Sequence, residues 1–161
     1  MRIAWLCFAT IISSVALADT YPRLDVHDGT ILPADSARGL LNQCSRGVPQ
    51  NVQGTWLPSS TQISDLESRL PQALAEALKN RNELYNPTFK IKRQYVGLIV
   101  AGHNIIYVNA FPGGSMNSDD VAHRKKAAEP VVVCDGGSSF FGVEYDPDTK
   151  SFSHFEFNGR G

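Results

Sequence analysis

Beyond residue 18 the sequence has no apolar run approaching the roughly 20 residues that a membrane span requires. It lacks a Gly-x-Ser-x-Gly elbow, a phosphate-binding glycine loop, a dinucleotide fingerprint, a His-Glu-x-x-His pair and a Cys-x-x-Cys pair. No cofactor, metal or catalytic residue is expected on these grounds. Glycosylation acceptors are missing too, since Asn86-Pro87-Thr88 is blocked by its proline. Charge is scarce and balanced: 15 Lys and Arg stand against 16 Asp and Glu, with no basic stripe. Nucleic-acid binding therefore has no electrostatic footprint, and no basic amphipathic helix suggests attachment to a membrane surface. Cysteine is rare, at 3 positions.

What is present begins with Met1-Arg2 and the apolar stretch Ile3 to Ala18, which closes on Ala16-Leu17-Ala18. A basic start, an apolar middle and small residues at the last and third-last positions predict a signal peptide over 1–18. Residues 19–161 are then read as a single α+β domain, long enough to bury one core. The expected location is the periplasm or the extracellular space. Cys7 leaves with the leader, so Cys44 and Cys134 remain as an even pair in an oxidising compartment, which predicts a disulfide. Closing a loop of roughly 90 residues would stabilise the fold by about 4–5 kcal/mol on chain-entropy grounds.

Asp35 is placed to cap a short helix over Ser36 to Gln43, and Ser45 to Ser59 reads as a connector around Trp56. Ser59 and Gln62 have capping-box spacing. Ile63, Leu66, Leu70, Ala73, Leu74 and Ala77 then recur at helical period, with Pro71 expected to kink or divide the helix. From Phe89 the period becomes two. A hairpin turning near Gly102, a dense run Val131 to Cys134, and a last hairpin around Asp146 to Lys150 follow. Pairing Tyr145 with Ser151 would set Phe141 against Phe155, with Phe152 facing outward beside Glu144, His154 and Glu156. The expected fold class is α+β, with N-terminal helices on one face of a four- to five-stranded antiparallel meander.

Three groups of residues invite a functional reading. Cys134 precedes Asp135-Gly136-Gly137 and could be a nucleophile on a turn, although disulfide bonding explains it more simply. Glu144, Glu156 and His154 share one face and could support acid–base chemistry in a small hydrolase. The segment Gly113 to Glu129 is long for a connection in a small domain. It carries Asp119, Asp120, His123, Arg124, Lys125 and Lys126, and is read as a partner-binding loop. The first three of these fall short of a metal site, because zinc needs three or four converging ligands. A small exported binding protein of the inhibitor or immunity type, recognising another protein, is the leading expectation. A secreted hydrolase and a structural or assembly component of the envelope are its alternatives.

Overall fold

The computed structural model describes residues 29–83, 90–113 and 129–160. Their elements run β1 (Gly29–Ile31), α1 (Ala37–Leu40), β2 (Val52–Trp56), α2 (Ser60–Asn80), β3 (Ile91–Val100), β4 (His103–Pro112), β5 (Phe141–Asp146) and β6 (Ser151–Phe157), with 3-10 turns at Ala34–Ser36 and Gly137–Ser139.

The capping box forms as expected at the start of α2. Ser59 Oγ accepts from the Gln62 N–H, and Gln62 Oε1 accepts from the Ser59 N–H at 2.9 Å. Ile63, Leu66, Leu70, Leu74 and Leu78 form its buried stripe. Pro71 does not divide the helix, which is continuous through it. The ring offers no N–H to the Glu67 carbonyl, and burial of the stripe offsets that lost bond. At α1, by contrast, Asp35 lies inside the preceding 3-10 turn, and no side chain caps the helix.

β3 and β4 pair along their full ten residues, from Val100 opposite His103 to Ile91 opposite Pro112. Ala101 and Gly102 form the turn, both with positive φ (50° and 79°), the handedness that matches the twist of antiparallel strands. The sheet is mixed rather than purely antiparallel, and it has six strands. Its order is β1-β3-β4-β5-β6, and β2 shares the β1 side of β3. β1 runs parallel to residues 93–95, and β2 antiparallel to residues 97–100. Two short strands thus occupy successive parts of one long edge. The presumed connector therefore contains a strand, and α2 follows two strands instead of leading the fold.

Both faces of the sheet are covered, where one was expected. On the first, the α2 stripe packs on Ile91, Tyr95, Ile106, Val108, Phe141 and Val143. A buried ion pair lies within this layer. Arg93 donates through Nη2 and Nε to the two oxygens of Glu67, at 2.7 and 3.1 Å, and Tyr95 donates its hydroxyl proton to the same carboxylate. On the second, outer face, Val96, Leu98, Ile105 and Tyr107 lie under Leu32, Ala37 and Leu40.

The outer layer is completed by the segment 129–135. The dense run Val131 to Cys134 is not a strand, because its backbone bonds go to side chains rather than to a neighbouring strand. Gln94 Oε1 accepts from the Val131 N–H at 2.9 Å, and Asn109 Nδ2 donates to the Val131 carbonyl at 2.9 Å. Gln94 Nε2 donates to the Glu129 carbonyl, and Asn158 Nδ2 to those of Val133 and Asp135. The Cys44–Cys134 disulfide, with Cα atoms 5.1 Å apart, joins this segment to the stretch after α1.

The last hairpin departs from its expected register. Tyr145 pairs with Phe152 and Phe141 with Phe157, and the ladder shifts between Gly142 and Glu144. His154, with φ of 50°, sits at the shift. A bulge places two residues opposite one, so it changes which parity of positions faces inward. Phe152 on one side of it, and Phe155 and Phe157 on the other, therefore all reach the core face.

Candidate functional site

The recess with most chemistry lies on the outer face, where β4, β5 and β6 meet the coil after Cys44. Tyr107 of β4 pairs directly with Glu144 of β5, and Gly142, two residues earlier on β5, pairs with Glu156 of β6. Alternate residues of a strand share a face, so these groups gather on one side of three adjacent strands. Val48, Pro49 and Val100 form the apolar walls of a cavity of about 270 Å³. Tyr107, Glu144, His154 and Glu156 supply its polar groups.

His154 Nδ1 lies 3.1 Å from Glu144 Oε2, with the imidazole largely exposed and the carboxylate mostly buried. The bulge that re-parities β6 also turns His154 toward Glu144. A positive φ is uncommon for a residue with a side chain, and such positions cluster at functional sites.

Tyr107 is the unusual member. It is only 1% exposed, and Arg46 lies close to its hydroxyl. The ring lies across Gly142, where a Cβ would come within 2.3 Å of the hydroxyl oxygen, so this glycine makes the arrangement possible. Burial raises the phenol above its usual range, and the nearby carboxylates Glu144 and Glu156 add to that rise. The Arg46 guanidinium beside the hydroxyl opposes that rise by its charge and hydrogen bonding. Arg46 is itself held by Asn158 Oδ1 at 2.7 Å and by Asn109 Oδ1.

The structure brings together the trio Glu144, His154 and Glu156 anticipated from alternation in the sequence. It corrects the reading of Cys134 as a nucleophile, because the sulfur is bonded to Cys44 and no thiolate is available. Asp119, Asp120, His123, Arg124, Lys125 and Lys126 lie outside the described residues. Among the described residues no group of three His, Cys, Asp or Glu side chains is arranged to hold a metal ion. Sequence reasoning missed Tyr107, Arg46 and the Val48–Pro49 wall. A partial signal existed in Tyr107 and Asn109, polar-tipped residues at alternate positions of an otherwise apolar strand. The contribution of residues 46–49 depends on tertiary closure and leaves no local trace. Comparisons of the chain with protein family models, with characterised proteins and with solved structures find no match, so the chemistry of the site is argued from its own residues.

Proposed function

We propose that this chain is an exported, non-catalytic binding protein that recognises another protein, in the manner of an inhibitor or immunity module. The outer-face recess carries the reading. It is a preformed concave site on three paired strands, with apolar walls and a few convergent polar groups. The leader pattern over residues 1–18 supports export, as does a disulfide of the kind that persists in oxidising compartments. The segment 113–129, with Asp119, Asp120, His123 and Arg124 to Lys126, is a second proposed contact.

The test begins with the exported protein, whose mature chain should start at Asp19. Crosslinking in the native compartment, followed by affinity capture, should return a partner. The Glu144→Gln/Glu156→Gln variant should return less of it, while a variant at exposed Leu57 should return the same amount. Equal capture by all three proteins would sink the reading. One observation favours an alternative: the His154–Glu144 contact is the arrangement of an imidazole oriented by a carboxylate. Turnover of a small ester or amide substrate that disappeared in His154→Ala would establish the hydrolase instead.

A further inference from the structure

The sheet ends at β6, and among the described residues no strand pairs with its far side. Ser151, Ser153, His154 and Glu156 of this strand are exposed, and Phe152 and Phe155 are half-buried. It contains neither lysine nor proline, the residues that commonly blunt an open edge, and its bulge leaves the stretch after His154 regular. At the end of that stretch the Asn158 N–H donates to the Phe140 carbonyl at 3.0 Å. Bonds alternate along an antiparallel ladder, so Glu156 turns its peptide groups toward β5 while Phe155 and Phe157 turn theirs outward. Each of these two residues thus offers an N–H and a carbonyl on the open side.

The same edge has a hollow on either face. On the inner side, Ala73, Ala77 and Asn80 of α2 stand across a groove of about 450 Å³ from Phe152 and Phe155. Residues three and four apart share one side of a helix, and the two alanines leave this side of α2 too small to fill the space beside β6. On the outer side lies the recess walled by Val48 and Pro49, and His154 lines both hollows, so the groove meets the proposed partner contact at the strand edge. A groove alone would not name its occupant. The outward peptide groups between the two hollows do, because only an extended backbone presents matching donors and acceptors along a strand. We infer that an extended segment of the partner protein adds to the sheet along residues 155–157, with alternate apolar side chains in the groove under α2 and the intervening ones turned toward the outer recess. The inference rests on the binding-protein reading and states how the partner docks. In strand addition the main-chain bonds supply affinity, and hollows for alternate side chains supply selectivity.

The experiment uses the oxidised full-length mature chain, isotopically labelled and followed by amide NMR. The probes are a capped peptide in which threonine and valine strictly alternate, a shuffled peptide of the same composition with its valines adjacent, and two forms of the first that are N-methylated at every valine or at every threonine. The alternating peptide should give saturable shifts centred on residues 151–157 and the facing side of α2, and should slow exchange of the Phe155 and Phe157 amides about tenfold. The shuffled peptide should bind about tenfold more weakly, since it cannot pair and place its valines on one face together. Alternate N–H groups of a strand point to one side, so only one methylated form should lose binding, by about tenfold for the bonds removed. Loss with methylated valine marks an antiparallel addition, and loss with methylated threonine a parallel one. Ala77→Leu, which fills the groove, should weaken the alternating peptide about tenfold while the melting temperature stays at or above that of the parent. The methylated peptides test the same pairing without altering the chain.

Equal binding of the alternating and shuffled peptides, equal effects of the two methylations, shifts centred away from β6, or no saturable shift at millimolar peptide would overturn the inference. Protection of the Phe155 and Phe157 amides that rises with protein concentration alone would assign the edge to a second copy of this chain and overturn it as well. Failure here can be told from failure of the binding-protein reading. Partner capture lost in the Glu144→Gln/Glu156→Gln variant but kept in Ala77→Leu refutes only the docking along β6. Capture that is equal in the parent and the Glu144→Gln/Glu156→Gln variant, with β6 still taking the alternating peptide, refutes the recess reading instead.

Discussion

At the scale of single residues, two carboxylates of α2, Asp65 and Glu67, tie the helix to the sheet. Tyr145 is fully buried and donates its hydroxyl proton to Asp65 of α2. Burial and that bond push the Tyr145 phenol up to about 12, and the same bond is the main reason the Asp65 carboxyl sits below its ordinary value. The two shifts act on opposite pH limbs. Because the folded phenol is raised, its stabilisation is complete below about pH 10 and is lost as pH climbs toward about 12. Because the folded carboxyl is lowered, its contribution is present above its unfolded value and is lost as pH falls through the folded one. Tyr145→Phe should therefore flatten both limbs of a plot of melting temperature against pH, and equally steep limbs in the variant would exclude this pairing. Glu67 poses a harsher case. Replacing it with Gln leaves the buried Arg93 guanidinium without its carboxylate, and chemical denaturation should show a loss of about 3–5 kcal/mol.

At the scale of elements, the β6 bulge absorbs the three-residue spacing between Phe152 and Phe155, and the extra residue is His154. Deleting His154 leaves those rings two residues apart, so a regular strand keeps Phe152, Phe155 and Phe157 on the core face. The deletion variant should therefore unfold at a denaturant concentration close to that of the parent, and a loss of about 3–5 kcal/mol, the size of one aromatic turned out of the interior, would refute this register. His154→Gly, which retains the residue count and suits a positive φ, should keep the bulge and the fold. The bulge also explains why this hairpin was only partly legible in the sequence. Alternation identified the inward face of β5 through Phe141, Val143 and Tyr145, but strict alternation across Phe152 to Phe157 assigns Phe152 outward. The helix, by contrast, was legible in its cap and stripe, because both are local, but not in its continuity through Pro71 or in the burial of Glu67, which tertiary packing decides. β2 was hidden in a segment with Gly54 at its centre and glycine and proline on either side, where turn composition masked five residues whose pairing is decided by the exposed edge of β3. Val131 to Cys134 misled in the other direction. β-branched residues favour extended backbone, yet extension does not determine whether a strand or side-chain amides supply the hydrogen bonds.

At the scale of the whole molecule, the two layers flanking the sheet are attached by different means. The α2 layer is held by an apolar stripe and a buried ion pair. Most of the outer layer's polar attachment consists of side-chain amides, together with the Cys44–Cys134 bond. Cys44→Ala/Cys134→Ala should lower stability by about 2–5 kcal/mol, and it should weaken partner capture more than its effect on the fold alone would imply, because residues 47–50 line the recess. Far-UV circular dichroism of the reduced protein that matched the oxidised form would place the damage in this layer. The Cys44–Cys134 pairing was readable from cysteine count and compartment. That it anchors a layer over the second face was not, since that face is defined only once β3 and β4 pair.

This asymmetry of attachment has a temporal consequence. The succession β3, β4, β5, β6 joins neighbours in the sheet, and its two hairpins close over short turns, so that half of the molecule can assemble early from nearby parts. Segment 129–135 must instead find Gln94, Asn109 and Asn158 after the sheet exists, and then meet Cys44 from 90 residues away. In deuterium-exchange time courses, the amides of residues 131–135 should lose protection well before those of β4, through an opening that leaves the strands intact. The wall that residues 47–50, just past Cys44, give the recess would then form late and open early, while its strand-borne side stays in place.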